Sequence, residues 1–361
     1  MPPSISVVVC SLNGAARIGR CLDALAAQTL GDRLEVIVVD DGSDDATGDL
    51  ARAHGATVIT HERNLGAPAA RNTGLRAASA PVVAFLDDDC EPVPGWSELL
   101  LDGYEEQVAG VGGPVLPVTG DGFLARFLER NNRHEPLELE LTRGQALPYR
   151  FALYLRRQWT APAPRPRRDV YAFIGGNMSF RRAALLAVGG FDERFRFASE
   201  EEDLSRRLRR DHPGRLVFVP EAGVSHRFEP TLRGVLRRSL AYGRGNAMQY
   251  RKWPSVRPTL FPWPPLVAAL LAAAAWQPAT ALAAAALPLL LYPAGLRNAV
   301  LHGRPEALAD PYLQLVQEAC ENFGFLRGAW AFRRFPRETS EVSGPAAAPS
   351  GRPGGKPEPV T

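Results

Sequence analysis

The chain has 361 residues, of which 45% are hydrophobic and 22% charged, an ordinary composition for a globular protein. This length predicts one large domain with an appended segment. The formal net charge of +3 is too small to indicate a protein that binds nucleic acid.

The cysteines show neither a metal-binding nor a redox pattern. The sequence contains no CxxC pair and no histidine at zinc-ligand spacing, and the N-terminus lacks a basic stretch followed by an apolar signal core. We therefore expect a reducing, cytoplasmic environment in which the thiols act as small hydrophobic side chains. The four residues are Cys10, Cys21, Cys90 and Cys320.

Short apolar, β-branched runs alternate with helical patterns over the first 90 residues. The runs predict strands at 5–10, 34–39, 57–59 and 82–86, and the helical segments between them predict parallel pairing. Pro68 marks the start of the helix before the fourth strand, since proline is favoured in a first helical turn. The predicted fold class is α/β, with a Rossmann-like, mostly parallel sheet flanked by helices.

Polar residues follow three of these strands where each strand ends. They are 11–13 after the first, Asp40-Asp41 after the second and 87–89 after the fourth. Because ligands bind beyond the carboxyl ends of the strands in an open α/β sheet, we expect these residues to share one site. No GxGxxG follows the first strand and no GxxxxGK[ST] occurs anywhere, which argues against a dinucleotide oxidoreductase and a P-loop NTPase.

The triplet Asp87, Asp88 and Asp89 concentrates negative charge at the end of an apolar strand. Burying one unpaired carboxylate there costs roughly several kcal/mol. A divalent cation removes this conflict, and hard oxygen ligands favour Mg²⁺ or Mn²⁺ shared with substrate phosphates. The alternative is a solvated acidic loop, which the position directly after a core strand disfavours.

Four motifs, taken in order, resemble those of family 2 inverting glycosyltransferases with the GT-A fold. They are VVVCSLNG at 7–14, VVDDGSDD at 38–45, NLGAPAARN at 64–72 and FLDDD at 85–89. Each motif is weak alone, but their order and spacing together are specific. The resemblance implies a nucleotide diphosphate sugar donor and a metal-binding DxD-type motif.

The resemblance also implies roles for individual residues. Asp41 would bind the nucleobase, Asp88 would approach the ribose, and Asp89 would ligate the cation with Asp87 assisting. Arg71 has two open roles, a contact to the nucleotide or an ion pair that organises the acidic loops. The implied nucleotide-sugar-binding set is Cys10, Ser11, Asn13, Asp41, Arg71, Asp87 and Asp88.

Residues 174–195 resemble the segment that closes the donor pocket and faces the acceptor in the same family. Gly176 and Asn177 permit a close backbone approach or a positive φ, and 182–188 predicts a short helix that Gly189-Gly190 ends. A simple packed turn is the alternative interpretation.

The segment Ser199 to Leu204 supplies the candidate bases. Inverting transfer needs a base to take the proton of the acceptor hydroxyl. Related sequences read Glu-Asp-x-Asp-Leu with the first Asp as base, so an alignment on Asp203 places Glu201 there and leaves Glu200 as the second choice. Asp203 is assigned to the acceptor side. Helix-dipole preferences, with Ser199 as N-cap, explain the same charge order.

His226 follows a predicted strand at 217–220 and stands where some GT-A enzymes place a histidine against the metal. The alternative is a hydrogen-bonded structural histidine. Residues 131–169, with several prolines and arginines, indicate a long excursion that we interpret as a lid or loop at the acceptor site.

The apolar segment 259–296 carries no charged residue, and Gln277-Pro278 divides it. It predicts a hairpin of two short helices, one bent span or a re-entrant segment, while a buried helical pair is the soluble alternative. Basic flanks favour a hairpin with both ends in the cytoplasm. The candidate interfacial anchors are Trp253, Trp263, Trp276 and Tyr292.

The remaining C-terminal sequence predicts an amphipathic helix at 313–335, lying on the bilayer or on the catalytic domain, and a disordered tail from 336. The predicted units are a catalytic domain at 1–235, with a nucleotide-sugar half at 1–115 and an acceptor half at 116–235, and a membrane-associating region at 236–335.

The sequence thus predicts an inverting transfer of a hexosyl or deoxyhexosyl group to a glycan or glycolipid at the cytoplasmic side of a membrane. Two alternatives stay open. A sugar-phosphate nucleotidyltransferase would need a Gly-rich, basic phosphate loop after the first strand, which is missing. A non-catalytic membrane scaffold with the same fold is favoured only by the glutamate at 201 in place of the family's aspartate.

Overall fold

The computed structural model describes residues 2–118, 122–131, 147–159, 166–196, 198–212, 214–227 and 231–338. Its strands are β1 (Ile5–Ser11), β2 (Leu34–Asp40), β3 (Thr57–Thr60), β4 (Val82–Asp87), β5 (Cys90–Pro92), β6 (Val108–Gly112), β7 (Val115–Pro117), β8 (Arg168–Asp169), β9 (Asn177–Arg181), β10 (Arg215–Phe218) and β11 (Val224–His226).

The α-helices of this part of the chain fall into two sets. Those around the sheets are α1 (Ile18–Ala26), α2 (Thr47–Ala53), α3 (Ala67–Ala77), α4 (Trp96–Leu101), α5 (Phe123–Arg130), α6 (Leu147–Trp159), α7 (Arg182–Ala187) and α8 (Glu200–Asp211). Those of the C-terminal region are α9 (Leu232–Lys252), α10 (Trp263–Ala273), α11 (Ala279–Leu291), α12 (Pro293–Leu301) and α13 (Asp310–Ala331).

The main sheet has eight strands in the order β3-β2-β1-β4-β9-β6-β10-β8, and a smaller sheet has the order β5-β11-β7. The four predicted strands are confirmed, and β1 pairs in parallel with β2 and with β4. The register places Ser11 beside Asp40 and Cys10 beside Asp87, so the three polar strand ends meet at one edge as predicted.

Alternating side chains explain why β1 is apolar throughout. Val7 and Val9 pack in one buried cluster with Ile18 of α1, whereas Val8 packs on the other face with Leu75 of α3. A strand with helices on both faces has no solvent-facing side, which accounts for the continuous hydrophobic run.

Several predicted elements differ from the structure. The strand expected at 217–220 is β10 at Arg215–Phe218, and the helix expected at 313–335 is α13 at Asp310–Ala331. Ser199 occupies the N-cap position of α8 as predicted, but its backbone is left-handed with φ of 72° and its side chain makes no capping hydrogen bond. Within the excursion at 131–169, the described part contains α6, which packs on the C-terminal helices.

The C-terminal helices form a bundle in which α9 and α13 lie against each other. Among the described residues, no single helix is long and apolar enough to span a bilayer, but α11 and α12, bent by 71°, pass that test as a pair on length and composition. Two predicted interfacial anchors are wrong, because Trp253 and Tyr292 are fully buried. Trp276 is 84% exposed.

The predicted tail begins inside ordered structure. Glu338 donates its backbone N–H to the Lys252 carbonyl over 2.9 Å, and its carboxylate accepts a hydrogen bond from Arg210. The prediction of disorder is therefore wrong for 336–338, and residues 339–361 lie outside the described part of the chain.

Candidate active site

The first two strand-end loops are held together by their own side chains. Asn13, with φ of 50°, donates its N–H to the Ser43 hydroxyl and accepts a hydrogen bond from the Asp44 N–H. Asp41 is buried and accepts hydrogen bonds from His61 at 2.7 Å, Leu65 N–H at 2.9 Å and Gly66 N–H at 2.8 Å. Asn13 and Asp41 therefore connect the loops that follow the strands, and their contacts to a nucleotide stay predictions.

Asp88 is buried and closely partnered. The Ser11 hydroxyl donates to Asp88, and Arg17 contacts both carboxylate oxygens at 3.0 and 3.2 Å. Beside them, burial raises the pKa of the Cys10 thiol to about 12, so this side chain stays neutral. The ion pair with Arg17 neutralises Asp88, which leaves Asp87 and Asp89 as the carboxylates of the triplet that are available to a cation.

Arg71 connects the two halves of the site. Its guanidinium donates to Glu200 of α8 and, over 3.2 Å, to Asp87 at the end of β4. Burial lowers the pKa of Arg71, but Glu200 and Asp87 raise it by a larger amount, so the net shift is upward. Of the two roles left open by the sequence, the structure shows the ion pair that organises the acidic loops.

Asp89 and His226 form a pair at the edge of the smaller sheet. The His226 Nε2 atom lies 3.1 Å from Asp89 Oδ1, and the Cys90 thiol completes a group whose ligand atoms lie within 4.8 Å of one another. Burial opposes ionisation of Asp89, but the hydrogen bond and charge of His226 outweigh it and lower the pKa of Asp89. Burial raises the pKa of Cys90 well above its usual value, which keeps the thiol protonated.

This donor set suits a hard divalent cation. A protonated thiol is a poor ligand, so the set reduces to one carboxylate oxygen and one imidazole nitrogen, with Asp87 nearby. Such sparse protein ligation is usual for Mg²⁺ and Mn²⁺ that also bind substrate phosphates. The residues present therefore fit the predicted metal.

Glu200 and Glu201 begin α8 and have different environments. Glu200 is 8% exposed and paired with Arg71, whereas Glu201 forms no ion pair with any described residue. Burial and the charge of Glu200 raise the pKa of Glu201 well above its usual value. A carboxylate with a raised pKa and no fixed cation is the better proton acceptor of the two.

Two predicted acceptor-side residues are structural, and these assignments are corrected. Asn177 is fully buried, where it accepts a hydrogen bond from Trp96 and donates to the carbonyls of Pro114 and Ala222. Asp203 is also fully buried and paired with Arg207 and Lys252. Because neither side chain has solvent-accessible surface, neither faces an acceptor.

A cavity of about 350 Å³ is lined by seven of the predicted site residues. Those that line it are Arg71, Asp87, Asp89, Gly176, Glu200, Glu201 and His226. Gly176 allows the close approach predicted for it, since an added Cβ would lie 3.0 Å from the Asp87 carboxylate. Cys10, Ser11, Asn13, Asp41 and Asp88 lie outside this lining.

The sequence did not predict the contribution of α9. Arg238 and Tyr242, one helical turn apart, line the cavity from the C-terminal region. Further along α9, Gln249 donates to the Ser199 carbonyl at 2.8 Å, and Lys252 lies 2.7 Å from Asp203. The available signal was the row of polar residues at i, i+4, i+11 and i+14 on a helix that precedes an apolar segment.

The chain is similar in sequence and fold to known glycosyltransferases. A family model described as Glycosyl transferase family 2 matches residues 6–189. The chain is 32% identical over 253 residues to the pre-mycofactocin glycosyltransferase of Mycobacterium tuberculosis, covering 67% of this chain and 48% of that protein. It is 32% identical over 224 residues to the validoxylamine A glucosyltransferase of Streptomyces hygroscopicus subsp. jinggangensis, covering 57% and 51%.

The chain thus spans about half the length of these curated relatives. Among solved structures, it is similar to the mannosyltransferase PcManGT from Pyrobaculum calidifontis, determined in complex with GDP-Man and Mn²⁺. The TM-score is 0.57 at 21% identity, and the match covers 90% of this chain and 88% of the other. This likeness confirms the predicted GT-A fold.

Proposed function

The chain belongs to glycosyl transferase family 2, and on that premise we propose that it transfers a sugar, with inversion, from a nucleoside diphosphate sugar to an acceptor hydroxyl near a membrane. The observation that carries the proposal is the cavity in which Asp89 and His226 share one space with Glu200 and Glu201. Arg71 joins the Asp87 side of this cavity to the Glu200 side.

Asp89 and His226, with Asp87 nearby, would hold the divalent cation. The cation would neutralise the negative charge of the departing nucleoside diphosphate. The GDP-Man and Mn²⁺ in the mannosyltransferase structure support this choice of ligand class.

Glu201 is the proposed base. In a single displacement the acceptor oxygen bonds to the anomeric carbon as the bond to the diphosphate oxygen breaks, and the acceptor proton passes to the Glu201 carboxylate. Arg71 donates to Glu200 beside it, and burial together with the charge of Glu200 raises the pKa of Glu201. Arg71 is therefore a positioning residue for both acids.

The acceptor side of the cavity is formed by α9. Arg238 and Tyr242 line it there, on a helix that continues into the apolar C-terminal bundle. A glycan or glycolipid acceptor at the cytoplasmic face of a membrane would approach along this wall, and nucleotide sugars would reach the site from the same compartment.

The test uses a thermal-shift panel of UDP-, GDP- and dTDP-sugars with and without Mn²⁺, followed by product analysis with a membrane extract as the acceptor source. We expect one donor class to stabilise the chain only with metal, and nucleoside diphosphate to be released. Stabilisation by no donor would refute donor binding, and release of pyrophosphate would instead identify a nucleotidyltransferase. Retained anomeric configuration in the product would refute inversion.

A further inference from the structure

Helix α13 exposes mainly apolar side chains and buries polar ones, the opposite of the distribution usual for a helix at a protein surface. Most of its exposed side chains recur at helical spacing along one face and are apolar, each between 40% and 70% exposed: Tyr312, Val316, Phe323, Leu326 and Trp330. Arg327 is the exposed charged residue of this helix. Its opposite face is buried and contains Gln314, Glu318 and Glu321. Surface helices of soluble proteins show the reverse order, with charged residues outward.

The buried polar groups of this bundle satisfy one another. Glu318 is fully buried and accepts hydrogen bonds from Tyr154 of α6 at 3.0 Å and from Tyr292 at 2.7 Å. Gln314 donates to the same carboxylate over 3.1 Å. Polar groups that face a bundle interior while apolar groups face outward are typical of helices in lipid.

The contact between α9 and α13 is built on small residues. A Cβ added to Gly243 would lie 2.0 Å from the Glu321 carbonyl oxygen, and one added to Gly324 would lie 2.3 Å from that of Leu240. Gly324 and Gly328 are four residues apart, and Gly328 faces Ala247. Close approach through small-xxx-small patterns is a common packing mode of helices in membranes.

The surface charge of this region has one sign. Between 259 and 335, Asp310, Glu318 and Glu321 are buried, and Glu306 is half-buried and paired with Arg126 and Arg130. The exposed charged residues of the same span are all arginines: Arg304, Arg327, Arg333 and Arg334. Such a surface complements anionic headgroups, which attract basic residues next to the membrane.

We propose that the exposed face of α13, together with the exposed leucines of α10 and α11, contacts a bilayer that contains anionic lipid. The five exposed apolar side chains of α13 would contact the acyl boundary of the bilayer. Arg327, Arg333 and Arg334 would contact the headgroups. A second copy of the chain is a poorer occupant, because a symmetric contact would bring arginines together without an exposed carboxylate to pair them. The inference deepens the proposed function, on which its relevance to the acceptor rests.

The experiment is vesicle flotation of the full chain, without any sugar donor, on phosphatidylcholine with and without phosphatidylglycerol. We expect binding that increases with phosphatidylglycerol. Leu326→Asp should lower the vesicle-bound to free ratio at least about tenfold, because a carboxylate replaces an apolar contact. Each of Arg333→Gln and Arg334→Gln should reduce binding about fivefold on the anionic vesicles.

Leu186→Asp is the matched control, since Leu186 is 44% exposed on α7 of the catalytic domain. It should bind vesicles like the wild type. Equal binding by Leu326→Asp and wild type would overturn the proposal, as would an equal loss in Leu186→Asp. A dimer in light scattering that Leu326→Asp dissociates, with no flotation of the wild type, would assign the face to a second copy.

The two proposals fail separately. A chain that floats with vesicles but releases no nucleoside diphosphate from any donor would refute the proposed transfer and leave the membrane face standing. A chain that transfers sugar but never floats would refute the membrane face alone.

Discussion

Gln249→Met tests whether α9 positions the turn at Ser199 to Glu201, which contains the proposed base. In the wild type, the Gln249 side chain is buried and donates to the Ser199 carbonyl at 2.8 Å, while its own oxygen has no partner among the described residues. Ser199 is held in a left-handed conformation that costs a non-glycine residue roughly 1–2 kcal/mol. The hydrogen bond from Gln249 of α9 therefore stabilises the backbone directly before Glu200 and Glu201.

The stability change should be small. Loss of the hydrogen bond costs about 1 kcal/mol, and removal of an unpartnered buried oxygen returns a similar amount. The Ser199 carbonyl also keeps its bond from the Asp203 N–H at 3.1 Å. The rate should change much more, because a displacement of about 1 Å at a catalytic group can cost about 100-fold.

The assay is the metal-dependent release of nucleoside diphosphate, measured as kcat and donor KM beside the thermal midpoint. We expect kcat to fall at least about tenfold with donor KM unchanged. Gln314→Met is the control, since Gln314 is also buried and hydrogen-bonded but touches α13 and α6 instead of α8. A kcat of Gln249→Met within about twofold of wild type, or an equal fall in the control, would refute the reasoning.

Three further predictions concern the site and the turn after α7. Glu201→Gln should lower the rate of transfer about 100-fold or more, while the donor should still stabilise the variant in a metal-dependent way. The wild-type activity should fall on acidification at a pH well above 4.5, because the pKa of Glu201 is raised and its protonated form cannot accept the acceptor proton. A pH–rate profile that is flat down to pH 4.5 would contradict this sign. Asp89→Asn should abolish the Mn²⁺-dependent part of the thermal shift, whereas Cys90→Ser should keep it, and the reverse order would show that the thiol is a ligand. Gly190→Ala should lower the thermal unfolding midpoint more than Gly189→Ala does. Both glycines have a positive φ, which costs an alanine about 1 kcal/mol. At Gly190 the new Cβ would in addition lie 2.4 Å from Asn72 Oδ1, whereas at Gly189 it would meet nothing within 4 Å.

The nucleotide-binding half of the fold was predictable because its signals are local. Buried parallel strands are continuous apolar runs, and each polar strand end follows directly in sequence, so the meeting of Ser11, Asp40 and Asp87 needed only the parallel register. The pairing of Asp89 with His226 came from the family resemblance, since 137 positions separate them and no local pattern joins them.

The acceptor half was harder to predict for a physical reason. Asp203 and Asn177 are polar and stand in motifs beside the site, yet both turn inward because buried partners satisfy them. Lys252 and Trp253, the partners of Asp203, lie about 50 residues later in sequence, so a sequence pattern cannot reveal that they neutralise it. The same long-range contacts explain why Trp253 is no membrane anchor.

The salt bridge between Lys252 and Asp203 bears on how this chain can be divided. A fragment that ends before α9 would retain Asp89, His226, Glu200 and Glu201, but it would leave the Asp203 carboxylate without Lys252 and Trp253. Asp203 would keep its ion pair with Arg207, but the loss of the second cation and of the Trp253 donor from a fully buried carboxylate would cost up to about 3–5 kcal/mol, a large share of a domain's stability. The smallest autonomous unit, and the proper junction for chimaeras with relatives, therefore lies beyond Trp253.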